Sequence, residues 1–255
     1  MSRSLVRRVS VAVFVTALAA APAAAQGRFP PESLSNLKVF PKTIPVRALI
    51  DSMRAITFAL GVRCSYCHVG EENQPLSAYD FAKDDKRAKR AARVMLDMVK
   101  HINGEHLADV PERSNPPVVV TCETCHRGRA RPERLQDVLA RQRVDSGLDA
   151  AVALYRRLRE EYYGTAAFDF GEWTLNRWAQ ELVRGGKPDD ALGVARLNAE
   201  QFPGSGQPLV VMGEAYVAKG DTAQAVASYR GAIAKDSTLA GPLRRRLQAL
   251  GAGGS

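Results

Sequence analysis

Cys64-Ser65-Tyr66-Cys67-His68 and Cys122-Glu123-Thr124-Cys125-His126 together hold all four cysteines of a 255-residue chain. Both read C-x-x-C-H, the attachment sequence for a c-type haem. Two thiols three residues apart lie on one side of a helical turn, where they can form thioethers to the two vinyl groups of one porphyrin. The histidine beside the second cysteine then faces the iron as its proximal ligand. The pattern predicts two covalently bound c-type haems, one on Cys64, Cys67 and His68, the other on Cys122, Cys125 and His126. A zinc site built from two C-x-x-C pairs normally separates them by about 15–20 residues. Here 54 residues intervene, and zinc does not require a histidine after each pair. A thioredoxin-like redox pair would want a βαβ setting, which the sequence lacks.

Composition agrees with a globular protein: 45% of residues are hydrophobic and 25% charged. No run of eighteen apolar residues marks an ordinary transmembrane helix. The formal charge of +9 raises nucleic acid as a partner, but part of it sits at the start. Arg3, Arg7 and Arg8, the apolar stretch Val9 to Ala20 and the small residues Ala23-Ala24-Ala25 read as a secretory signal peptide over residues 1–25. Removing it leaves +6, and the propionates of two haems bring that to about +2. The expectation is an extracytoplasmic, periplasmic protein with no nucleic-acid partner.

An iron that shuttles electrons needs a sixth ligand. Met53 lies in Ala48 to Leu60, where Leu49, Met53, Ile56 and Leu60 recur at helical spacing and Gly61 turns the chain into the first haem motif. A second helix is predicted from about Asp84 to Ile102, stopping at Asn103-Gly104, with Ala88, Ala91, Ala92, Met95, Met98, Val99 and Ile102 as its apolar stripe. Met95 and Met98 share a face, and periodicity does not choose between them. His101 reads as a ligand or a surface residue, and His106 as a loop residue. A methionine in an apolar stripe is also ordinary core filler.

Residues 35–132 resemble the cytochrome subunit of photosynthetic reaction centres and its relatives. Three stretches carry the resemblance: Met53-Arg54-Ala55-Ile56-Thr57 ahead of the first motif, Ala92 to Met98 with Ile102-Asn103, and Val120-Thr121 leading through the second motif to Arg127-Gly128. In that family each unit is a helix with a distal methionine, a turn, and a C-x-x-C-H segment. The resemblance implies Met53 opposite His68 and Met95 opposite His126 as the axial ligand pairs. The best-known members carry four haems in two such pairs, and this chain has one pair. His106 therefore has no assigned role.

Beyond Pro132 the composition changes. Arg127, Arg129, Arg131 and Arg134 make a basic link, read as propionate partners or as a solvated linker. From Asp145 onward the chain has helical periods and neither cysteine nor histidine. Gly186 to Leu192 matches Gly220 to Val226 at a 34-residue offset, and Leu175, Trp178, Leu182 and Ala195 recur as Leu209, Met212, Tyr216 and Tyr229. That period resembles tetratricopeptide (TPR) repeats. Gly147 to Tyr163 resembles part of a further, degenerate unit, and Leu239 to Leu250 a capping helix. The reading is a mainly α protein with a signal peptide at 1–25, a dihaem cytochrome c domain at 26–135, TPR-like helical repeats at 145–250 and a flexible tail at 251–255. It implies electron transport without a catalytic residue. The redox partners would be a membrane electron-transfer complex or a terminal oxidase or reductase, and the repeats would offer a surface for a protein or peptide. The alternatives are a dihaem peroxidase- or reductase-type enzyme with one open iron, and a haem-bearing scaffold.

Overall fold

The computed structural model describes residues 28–252. The expected signal peptide and the last three residues of the tail lie outside them. Among the described residues the fold is mainly helical, with eleven α-helices and one isolated antiparallel bridge, Val69 to Asp80.

The first long helix, α1 (Val46–Leu60), ends where the sequence expects, at Gly61. There the backbone turns left-handed, φ 63° and ψ 35°, and the Gly61 N–H donates to the Phe58 carbonyl. Only glycine adopts this conformation without strain. A Cβ at Gly61 would also fall 2.0 Å from the Gly128 carbonyl oxygen, so the turn admits no side chain. One turn follows as α2 (Cys64–Cys67).

The second long helix, α3 (Arg87–His101), starts later than its apolar pattern suggests. Residues 84 and 85 stay outside because Arg90 takes their carbonyls, at 2.6 and 2.8 Å, and Lys89 and Arg93 grip the Asp84 carboxylate. At its other end α3 passes into a π-helical turn, Ile102–His106. Asn103 pins that turn to the strand-like approach of the second motif: its Nδ2 donates to the Val99 and Val120 carbonyls, and its Oδ1 accepts from the Val120 N–H at 2.8 Å. The motif itself forms α4 (Cys122–His126). Contacts run crosswise, α1 packing against α4 and α2 against α3.

The remaining helices are α5 (Leu135–Ser146), α6 (Leu148–Tyr162), α7 (Glu172–Arg184), α8 (Pro188–Gln201), α9 (Gln207–Ala218), α10 (Thr222–Lys235) and α11 (Ala240–Ala249). Consecutive helices pack as pairs, and each pair packs on the next. One apolar cluster includes Leu139, Tyr155, Leu175, Trp178, Leu197 and Val211, and a second joins Val210, Tyr229, Ala232, Leu243 and Leu247. Leu135 and Leu139 lie in the first cluster, so α5 packs with helices that the sequence begins only at Asp145. Gly213 lets the Tyr229 ring lie against α9, where an added Cβ would meet it at 2.3 Å. Of the tail, Gly251 turns left-handed at φ 75° and the Ala252 N–H donates back to the Leu247 carbonyl.

Candidate cofactor site

The two halves of the chain bury apolar surface very differently. Every core cluster lies beyond Pro132, and among the described residues before it Ala59 is the one buried apolar side chain. Phe58 is 81% exposed and Val94 63%, and Met95 and Met98 also face outward from α3. About a hundred residues arranged as two amphipathic helices with open apolar faces do not ordinarily hold together unless something apolar covers those faces.

Each cysteine pair lies on a single helical turn. All four cysteines are free, Cys64, Cys67 and Cys122 partly buried and Cys125 exposed. In α2 the turn is closed by the His68 N–H donating to the Cys64 carbonyl at 2.9 Å, and His68 then leaves the helix in an extended conformation. In α4 the Thr121 N–H donates to Thr124 Oγ1 at 3.0 Å, capping the N-terminus. Left-handed Arg127 and Gly128 terminate it, and the Gly128 N–H donates to the Ala59 carbonyl at 2.9 Å.

The imidazoles differ in their support. His126 Nδ1 lies 2.9 Å from the Arg129 carbonyl. A carbonyl only accepts, so Nδ1 carries the proton and Nε2 keeps its lone pair for a metal. His68 is more enclosed: its Nδ1 is buried without a geometric hydrogen-bond partner, and the Phe81 ring meets it edge-on at 4.9 Å. Burial first, then the positive charge of Lys89, pushes the His68 pKa down to about 4, so this imidazole is neutral at physiological pH. Phe81 is held by Tyr79 and Phe29, with ring centroids at 5.6 and 5.7 Å. Its carbonyl accepts from the buried Lys89 Nζ at 2.8 Å, which also binds the carbonyls of Ala82 and Lys83.

This loop is anchored by a charge hub that sequence reading missed. The Asp84 carboxylate meets Arg93 at 2.7 Å, Lys89 at 3.1 Å and Lys38 at 3.2 Å, and accepts from Asn36 Nδ2. Those contacts, Arg93's foremost, hold its pKa well below the usual carboxylate range. Half of the hub comes from residues some fifty positions away, so no local pattern announces it.

Met53 is partly buried on α1, while Met95 and Met98 are both exposed on α3. His101 sits at the surface with Nδ1 2.7 Å from Glu105 and Nε2 3.6 Å from Asp97, and His106 is exposed in the π turn. In the basic link Arg131 pairs with Glu133, Arg134 with Asp137, Arg127 donates to the Thr124 carbonyl, and Arg129 lies over Phe168. A cleft of about 400 Å³ separates the second motif from the helical unit, bordered by Cys125, His126, Phe168 and Arg177. Among the described residues no three His, Cys, Asp or Glu side chains converge to hold one metal ion. No helix among them is long and apolar enough to cross a membrane.

This donor set fits a c-type haem. Free paired thiols point from single helical turns, each turn leads into a histidine, and apolar helix faces stand open beside them. These features define a c-type cytochrome. The chain belongs to the photosynthetic reaction centre cytochrome C subunit family, which matches it over residues 7–153. It is 32% identical over 99 residues to a cytochrome c-554 of Chloroflexus aurantiacus, covering 35% of this chain and 22% of that protein. It is likewise 32% identical over 104 residues to a photosynthetic reaction center cytochrome c subunit of Thermochromatium tepidum, covering 40% and 22%. The chain thus spans about a fifth of the length of these curated relatives. No solved structure matches it.

Proposed function

We propose that this chain is an exported dihaem c-type cytochrome that carries single electrons between protein partners, with its TPR-like helices serving as the docking surface. The observation that carries the reading is the duplicated unit, a free thiol pair on one helical turn leading into a histidine, set beside an open amphipathic helix. Cys64 and Cys67 would anchor one haem with His68 as proximal ligand, and Cys122 and Cys125 the other with His126. When bound, the haem irons supply a reversible one-electron couple.

The chain's own residues do the rest. Burial keeps water from His68 Nδ1 beside the Phe81 ring, and the Arg129 carbonyl holds the His126 Nδ1 proton so that Nε2 is presented. Met53 would serve the haem of His68 and Met95 the haem of His126, as the family resemblance implies. A thioether at the sixth position favours ferrous iron relative to imidazole and raises the reduction potential. The relative from Thermochromatium tepidum is a reaction center subunit, which supports a membrane electron-transfer complex as one partner here.

The test is haem quantitation followed by visible spectra of the purified protein, oxidised and reduced, with and without carbon monoxide. Two low-spin haems per chain that ignore carbon monoxide uphold the reading. A high-spin fraction, or carbon monoxide bound at one iron, transfers support to a peroxidase- or reductase-type enzyme.

A further inference from the structure

The two proximal histidines differ in what holds them. Around His68, the supporting groups are Phe81, Lys89, Tyr79 and Phe29, all within the N-terminal half. His126 is held by the carbonyl of a nearby residue whose own side chain rests on the C-terminal helical unit. Its Nδ1–H donates to the Arg129 carbonyl. The Arg129 guanidinium carbon lies 3.7 Å above the centre of the Phe168 ring, and Nη1 donates to the Glu133 carbonyl at 2.9 Å. Phe168 is 7% exposed and belongs to the large apolar cluster of the helical unit. Tyr162 and Phe170 hold its ring edge-on, at 5.6 and 6.0 Å.

We propose that Arg129 is a positioning residue through which the C-terminal helical unit sets the orientation and basicity of the His126 imidazole, so that the haem on Cys122 and Cys125 senses that unit and the haem on Cys64 and Cys67 does not. The inference rests on the dihaem reading above. The physical chain is short. The partner of a ligating imidazole's second N–H fixes its ring plane and tunes its donor strength. Here that partner is a main-chain carbonyl in a turn of four residues. The turn is tied at one end by the Gly128 N–H on Ala59 and at the other by a guanidinium seated on an aromatic face. Loss of that face leaves the guanidinium held only by the Glu133 carbonyl, and the weaker tether lets the Arg129 carbonyl rotate away from Nδ1.

The experiment uses the full-length holoprotein with Phe168→Leu, which keeps apolar bulk and removes the ring, and Arg129→Gln, which leaves the core of the helical unit untouched. Haem quantitation comes first: fewer than two haems per chain refutes the dihaem reading itself. With two present, redox titration and electron paramagnetic resonance of the ferric protein read each haem. Both variants should shift one midpoint potential and one low-spin signal and leave the other pair unmoved, and Phe168→Tyr should restore wild-type values. In a background carrying Cys122→Ala and Cys125→Ala, Phe168→Leu should have no effect on the remaining haem. Two unmoved haems in Arg129→Gln, equal shifts in both, or a shift of the haem on Cys64 and Cys67 would overturn the inference.

Discussion

Replacing Gly61 with alanine should damage the haem-bearing half in a way its sequence position does not suggest. Gly61 lies three residues before Cys64, yet its closest neighbour is the backbone after the second motif. The φ of 63° costs an L-residue about 1–2 kcal/mol. The new Cβ would sit 2.0 Å from the Gly128 oxygen and 2.9 Å from its carbonyl carbon, where ordinary contact begins at 3.4 Å. The turn after α4 must therefore retreat by about 1 Å or more, since neither partner is a flexible side chain. Retreat breaks the Gly128 N–H bond to Ala59, worth about 1 kcal/mol, and strains the packing of α1 on α4 by about 1–3 kcal/mol. The total is about 3–6 kcal/mol. Guanidinium titration followed at the Soret band should show the loss, while far-UV circular dichroism, dominated by the C-terminal helices, shows little change. Gly61→Asn tolerates the left-handed turn and should recover only the strain share, about 1 kcal/mol. Gly104→Ala, with nothing within 4 Å of its Cβ, is the control. The spectroscopic disturbance should appear at the haem on His126. A Gly61→Ala protein within about 0.5 kcal/mol of wild type, or one disturbed at the other haem, would refute this reasoning.

Asp84→Asn should lower stability at neutral pH and flatten the acid limb of the stability curve. The Asp84 pKa is depressed on folding, so its contribution is present above the ordinary carboxylate pKa of about 4 and fades as pH falls below it; equal slopes for both proteins below pH 4 would count against the hub. Met53→Ala or Met95→Ala should leave covalent haem in place and open one iron to carbon monoxide, and unchanged spectra in both would remove those ligand assignments. Gly213→Ala puts a Cβ 2.3 Å from the Tyr229 ring and should destabilise the helical unit by about 1–3 kcal/mol, the reverse of the usual gain from such a change inside a helix. Asn198→Ala removes the amide that donates to Asn176 Oδ1 at 2.8 Å and to the Glu172 carbonyl, leaving buried acceptors unmet at a cost of about 1–3 kcal/mol in thermal unfolding.

The haem motifs are legible because they are local: the attachment spacing spans one helical turn, so Cys64 to His68 and Cys122 to His126 stand out as candidates without any tertiary information. Helical periodicity and left-handed Gly61 were legible for the same reason, as was the 34-residue echo between Gly186 and Gly220. Short-range signals also misled at the edges. Apolar spacing drew α3 back to Asp84, where charged side chains had already claimed the carbonyls. Helical periodicity set the start of the helical unit at Asp145, although Leu135 and Leu139 bury themselves in its core. Met95 and Met98 share a face and remain close in exposure, 37% and 42%, so helix geometry does not separate them.

Sequence alone marked the candidate haem residues, because thioether formation and imidazole ligation depend on residue type and on spacing within a few positions. Tertiary structure decided what surrounds each imidazole, since those partners come from segments far apart in the chain. Lys89 reaches across to the Phe81 carbonyl beside His68, Asn36 and Lys38 close the Asp84 hub, and Phe168 seats the arginine whose carbonyl holds His126. No periodicity encodes such meetings: they follow from folding the chain back on itself, and they distinguish two sites whose sequences look alike.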